Sequence, residues 1–238
     1  RTFGGYFALS YPLSYFRRIE ASISLANSRR SFTEEQFNRR ALLLTNSISY
    51  TKDNAIYGPT GPIDGTRFNT TLGYTTDIQF GNVNYFTFIF DYRRYIRLSN
   101  TVALGQRLEF LMNEGKETRR WAIGGSWDLR GWPRFGIRGK KAFVASTELR
   151  FPLFNLVNYD LPLSINHWFP YLRGAAFFDV GSAWDKEYKE TLGSIGIGAR
   201  LNLFYILALR YDFGKRIEKN FTKFQDGYFH QFFFGWDF

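Results

Sequence analysis

The 238-residue chain has no cysteine, two histidines and one methionine, and each scarcity removes a class of chemistry. Without cysteine there are neither disulfides nor thiolate metal sites. His167 and His230 are far apart in the chain and form no metal-ligand spacing, so neither a metal nor another cofactor is expected. Nor does any stretch approach the roughly 20 consecutive apolar residues that a membrane-crossing helix needs. Acidic residues are also short: 21 Asp and Glu against 31 Lys and Arg leave a net charge of +10. Such a balance suits nucleic acid, an anionic membrane surface or a basic barrel lumen. The basic residues, however, are scattered in pairs such as Arg17-Arg18, Arg29-Arg30, Arg39-Arg40, Arg93-Arg94 and Arg119-Arg120. They carry no reading motif, so no nucleic-acid partner is expected.

What the chain has in abundance is aromatic residues, 20% of the total, combined with a mean hydropathy below zero. A transmembrane β-barrel reconciles the two, because its strands need only about 10 residues with apolar side chains at alternate positions. That alternation recurs along the sequence. Phe3, Phe7, Leu9, Tyr11 and Leu13 lie on one face of a first strand, and Ile19, Ala21, Ile23 and Leu25 on one face of a second. Leu42, Leu44, Ile48 and Tyr50 continue the pattern after a polar segment. A Gly/Pro loop, Gly58 to Gly65, leads to Phe68, Leu72 and Tyr74. Then come Phe86, Phe88, Phe90 and Tyr92, followed by Leu104, Leu108, Phe110 and Met112. Beyond a long connection, residues 113 to 140, the pattern resumes in Phe143, Ala145, Leu149, Phe151 and Leu153, and in Ala176, Phe178, Val180 and Trp184. It ends in Ile195 to Leu203, Leu207 to Phe213, and Phe232, Phe234, Trp236 and Phe238. This gives about eleven strands joined as successive hairpins, the signature of an antiparallel up-and-down barrel. A soluble β-sandwich is the alternative, but it would have to bury several large aromatics from almost every strand in a core only about 10 Å thick.

The long connection contains Gly124-Gly125-Ser126-Trp127-Asp128-Leu129-Arg130-Gly131-Trp132-Pro133. An arginine among glycines and aromatics stays charged, so it needs carboxylate partners if it leaves water. Parity alone turns Glu148 and Asp179, on the strands that follow, to the polar face. These carboxylates could also be read as a catalytic pair. With Arg130 in the same region an ion cluster is the preferred reading, and no catalytic residues are assigned. Gly193, Gly196 and Gly198 lack the following helix of a phosphate loop and read as small residues beneath an infolded loop.

The run Leu129-Arg130-Gly131-Trp132 resembles the hydrophobic-Arg-Gly-aromatic motif in the sixth extracellular loop of the bacterial surface antigen family, the BamA-like outer-membrane barrels. Thr147 to Leu153 and Gly174 to Gly181 are similar to segments that follow the motif in that family. Gly4-Gly5 through Tyr11 to Glu20 resembles the subgroup fused to TolB-like propellers. The resemblance implies an integral protein of the bacterial outer membrane with a periplasmic C-terminus, in which Phe234, Trp236 and Phe238 form the assembly signal. It also implies a lumenal latch of Arg130, Gly131, Trp132, Glu148 and Asp179. With the loop extracellular, the turns near Pro12, Asn100 and Phe204 and the segment Asn155 to Leu172 fall on the periplasmic side.

The family's function is insertion or translocation of polypeptides, without cofactor. The expected partners are outer-membrane lipid and lipopolysaccharide, and polypeptide clients or periplasmic domains. The alternatives are a passive barrel that anchors a periplasmic TolB-like domain and, as in patatin-like relatives, a barrel fused to an enzyme. Residues 1–238 are thus expected to be one barrel domain. An odd count of about eleven strands points to the C-terminal part of a barrel of about sixteen. The chain opens on Arg1 with no signal-peptide pattern, so either processing or trimming is expected to have removed the true N-terminus.

Overall fold

A computed structural model describes residues 2–30, 39–58, 61–155, 171–203 and 207–236. No helix occurs among them. Eleven strands are long: β1 (Thr2–Ser14), β2 (Arg17–Arg30), β3 (Arg39–Asp53), β5 (Gly61–Asp77), β6 (Asn84–Arg97), β7 (Ala103–Lys116), β10 (Lys141–Asn155), β11 (Tyr171–Trp184), β12 (Leu192–Leu203), β13 (Leu207–Glu218) and β15 (Phe229–Trp236). Four short strands decorate them: β4 (Ile56–Gly58) beside β5, β14 (Lys223–Phe224) beside β13, and β8 (Trp121–Ile123) with β9 (Ile137–Gly139) as a separate hairpin.

Each long strand pairs antiparallel with its predecessor and successor, from β1 to β15, as the repeated hairpin pattern predicts. Most are 12 to 17 residues long. That exceeds the 9–11 residues a tilted strand needs to cross a bilayer. The two edges, β1 and β15, pair with no further strand among the described residues.

The alternation read from the sequence separates two environments. Leu72, Phe86, Leu108, Phe178, Ile195, Ile197, Tyr211 and Phe232 are exposed on the outer face. The inner face is polar in β2, β3 and β5, where hydroxyls meet across strands: Ser22 with Ser47 at 2.8 Å, Thr45 with Thr75 at 2.9 Å, and Ser49 with Thr71 at 2.8 Å. The apolar aromatics are therefore not the filling of a sandwich. The buried apolar cluster is small and lies inside the curve, where Leu111, Ala142, Val144 and Ala183 of the wall meet Ile123 of β8.

Two local features differ from the sequence expectation. The stretch Gly58 to Gly65 is not all loop, because β5 already begins at Gly61 and β4 pairs with it across a register shift. The long connection is shorter than 113 to 140, since β7 runs to Lys116. Within the remainder, β8 and β9 fold back on each other. Short three-residue strands leave no period for a sequence to display. His167 and most of the segment Asn155 to Leu172 fall outside the described residues, as do Phe204 and Phe238.

Candidate functional site

The connection between β7 and β10 turns inward and fills the curve of the sheet. Its β8–β9 hairpin docks through Ile123, with Trp121 and Ile137 packed alongside, on the inner apolar cluster. Leu129 is fully buried next to Gly181 of β11. Burial of an isoleucine and a leucine each contributes roughly 1.5–3 kcal/mol, which anchors the loop before any charge is considered.

This anchoring delivers Arg130 to the polar face of β10 and β11. Its Nε donates to Asp179 Oδ2 at 2.6 Å and its Nη2 to Asp179 Oδ1 at 2.7 Å, a two-pronged fork. Nη1 donates to Glu148 Oε2 at 2.6 Å, and the Arg130 main-chain N–H reaches Asp179 Oδ2 at 3.2 Å. Ser146 Oγ donates to Asp179 Oδ1 at 2.6 Å and accepts from Nη2 at 3.2 Å. The guanidinium carbon also sits 3.7 Å from the centre of the Phe177 ring. Asp179 has no exposed surface and Arg130 only 5%. Burial alone would make this guanidinium easier to deprotonate, but Asp179 and Glu148 hold its affinity for the proton above the ordinary range.

Glu148 receives two more guanidinium groups, from Arg150 Nε at 2.6 Å and from Arg200 Nη2. The inner wall balances its charges closely. Arg93, Arg107, Arg130, Arg150, Arg200 and Arg210 face Asp91, Glu109, Asp128, Glu148, Asp179 and Asp212.

Gly131 and Trp132 complete the placement. The φ of Gly131 is +81°, and a Cβ there would lie 2.5 Å from Phe229 Cδ1 of β15. Its N–H donates to Gln231 Oε1 at 3.0 Å and its carbonyl accepts from Arg216 Nε at 2.5 Å. Trp132 Nε1 donates to the Gly193 carbonyl at 2.9 Å. Two more arginines reach loop carbonyls: Arg107 Nη1 to Trp127 at 2.9 Å, and Arg210 Nη2 to Ser126. One loop is thereby tied to β7, β10, β11, β12, β13 and β15, which requires the sheet to curl around it.

Arg130, Gly131, Trp132, Glu148 and Asp179 thus meet at one place. Phe234 lies on the outer face of β15, 56% exposed, and Trp236 ends the strand opposite Leu207. His230 is also on β15, its Nδ1 2.5 Å from the Tyr211 hydroxyl. Gly196 and Gly198 face inward, while the Gly193 carbonyl holds Trp132. Sequence reasoning missed Ser146, Arg107, Arg210, Arg216 and Gln231. Parity puts Ser146 on the polar face with Glu148 but does not reveal its bond to Asp179, and donors to main-chain carbonyls have no partner residue to reveal them.

Comparison with known proteins names the class to which this antiparallel wall belongs. Residues 5–238 match the Omp85 superfamily domain. The chain belongs to this superfamily of outer-membrane β-barrels. Among solved structures it is similar to BamA from Haemophilus ducreyi lacking POTRA domains 1–3, with a TM-score of 0.75 and 17% sequence identity. The match covers 98% of this chain and 53% of that one, so the chain spans about half the length of the structure it resembles. No curated protein sequence was found to match.

Proposed function

We propose that the chain forms the C-terminal wall of an Omp85-type barrel that inserts or translocates polypeptides at the outer membrane. In this reading the loop of residues 117–140 is a lumenal latch, on the extracellular side, and the C-terminus is periplasmic. The observation that carries the latch is the Arg130 fork: three guanidinium nitrogens and one main-chain N–H engaged by two buried carboxylates. A guanidinium so enclosed is stable only while both carboxylates remain, so the loop is locked in one pose rather than loosely tethered. Family membership supports the handling of polypeptide clients. The free edges of β1 and β15 support completion of the barrel by further strands, because unpaired backbone groups in hydrocarbon cost several kcal/mol each.

Reconstitution tests this function. The full-length protein in liposomes is expected to accelerate the folding of an unfolded outer-membrane barrel, read by its shift to the heat-modifiable folded band. Arg130→Ala should lower that rate without removing the protein from the membrane. A folding rate equal to that in protein-free liposomes would overturn the assembly reading and favour a passive anchoring barrel.

A further inference from the structure

A barrel's outer face meets lipid with the same alternation on every strand, so a broad, open depression in it needs a local cause. One opens between β10 and β13, with a volume of about 600 Å³. Leu149, Ala176, Ile197 and Phe213 stand side by side there in register, and Ala176 leaves a gap between larger neighbours. Beneath them Gly196 and Gly214 pair directly, which reduces the wall to bare backbone. From inside, Phe177 and Phe229 press on these glycines: added Cβ atoms would lie 2.6 Å from Phe177 Cζ and 3.0 Å from Phe229 Cε1. The groove's floor is therefore the outer side of the support on which Arg130 rests.

At the end of the groove nearest the infolded loop stands Lys215, beside Ile195 and pointing outward by parity. A charge on the lipid face is costly unless something compensates it. Among the described residues no carboxylate pairs with Lys215. Its ammonium lies 4.8 Å above the ring of Tyr228, which itself stacks on Phe213 at 5.0 Å. An apolar groove of ligand-binding size, ending in one cation that a tyrosine ring flanks but no carboxylate neutralises, has the complementary chemistry of an acyl chain ending in an anionic phosphate headgroup.

We propose that this groove is a specific site for an anionic phospholipid, one acyl chain lying over Ala176 and the net-negative phosphate headgroup meeting Lys215. The assignment of that lipid to the outer leaflet rests on the proposed extracellular position of the loop; the groove itself does not.

The test is retention of lipid by the full-length protein released from nanodiscs of equimolar phosphatidylglycerol and phosphatidylcholine, counted by native mass spectrometry. Phosphatidylglycerol should be retained preferentially. Lys215→Gln should lower its retention about fivefold, the effect of one lysine on an anionic lipid. Ala176→Phe, which fills the groove, should lower retention of both lipids. Lys223→Gln, on the same hairpin but 3.6 Å from Glu218, should change nothing. Equal retention of the two lipids by the unmodified protein, or phosphatidylglycerol retention indifferent to Lys215→Gln, would overturn the proposal. Labelling of Lys219→Cys on intact cells by a membrane-impermeant maleimide reads the orientation separately. Success is expected, and failure with the lipid preference intact would overturn the leaflet and the orientation but leave the groove standing.

Discussion

Substitution of Gly131 by alanine adds one carbon, yet the structure assigns it two separate costs. The first is conformational: at φ +81° a residue with a side chain is in the left-handed region, which costs about 1–2 kcal/mol. The second is steric, since the new Cβ would lie 2.5, 2.6 and 2.8 Å from three atoms of the Phe229 ring. Neither partner can yield cheaply. Phe229 is 4% exposed and packs against Phe177 and Gly214, while Gly131 is pinned through its N–H by Gln231 and through its carbonyl by Arg216. Overpacking at such a site costs about 1–3 kcal/mol, so the sum is roughly 2–5 kcal/mol against the docked loop. At about 1.4 kcal/mol per decade, the open population should rise between about 30-fold and a few thousand-fold.

Hydrogen exchange of the full-length protein in detergent reads this directly as faster exchange of amides in residues 124–133. Phe229→Leu introduced into the Gly131→Ala protein should restore the steric share but not the conformational one. Unchanged protection in Gly131→Ala, or a double variant no better protected than Gly131→Ala itself, would refute the reasoning.

Three further perturbations separate the anchors. Leu129→Ala, at a site with no exposed surface, should destabilise loop docking by about 2–5 kcal/mol, seen as accelerated proteolysis within residues 117–140 while the wall stays resistant. Burial pushes the Asp128 carboxyl upward, partly offset by Arg107 at 3.5 Å. A group whose proton is held more tightly when docked than when free stabilises docking fully below the ordinary carboxylate value, about 4, and loses that contribution as pH rises through its raised value. Asp128→Asn should therefore gain docking stability over the wild type as pH rises above that range, and the same gain at all pH values would contradict the assignment. Arg107→Ala should loosen Trp127 and Asp128 together, measured as faster exchange confined to the Ser126–Asp128 segment, whereas loss of protection across the whole loop would show that the anchors are not separable.

Much of this arrangement is legible in the chain because a strand's period of two is a strict rule. Once Phe143 and Leu149 face lipid, Glu148 must face the lumen, and the same parity turns Asp179 inward from between Phe178 and Val180. The eleven long strands follow from the same alternation. The β8–β9 hairpin does not, because strands of three residues separated by Gly124 to Gly136 carry no period. The inner apolar cluster was hidden as well: Val144 and Ala183 occupy positions that parity marks as lumenal, and only the docked Ile123 gives them a reason to be apolar. The carbonyl-directed arginines Arg107, Arg210 and Arg216 look like ordinary wall charges in sequence, since the acceptors they serve are backbone atoms.

A double-mutant cycle on Arg130 and Asp179 tests the central claim most directly, with loop-docking free energy of the full-length protein taken from hydrogen exchange. Asp179→Ala alone takes both carboxylate bonds of Nε and Nη2 from a guanidinium that is 5% exposed, leaving it Glu148 only, and should cost on the order of 3–5 kcal/mol. Arg130→Ala should cost a similar amount by stranding Asp179. The Arg130→Ala/Asp179→Ala protein should be no less stable than either single variant, because the second substitution removes the charge that the first left unpaired. Losses that simply add, or single substitutions without effect, would contradict the account of a loop held by this ion pair.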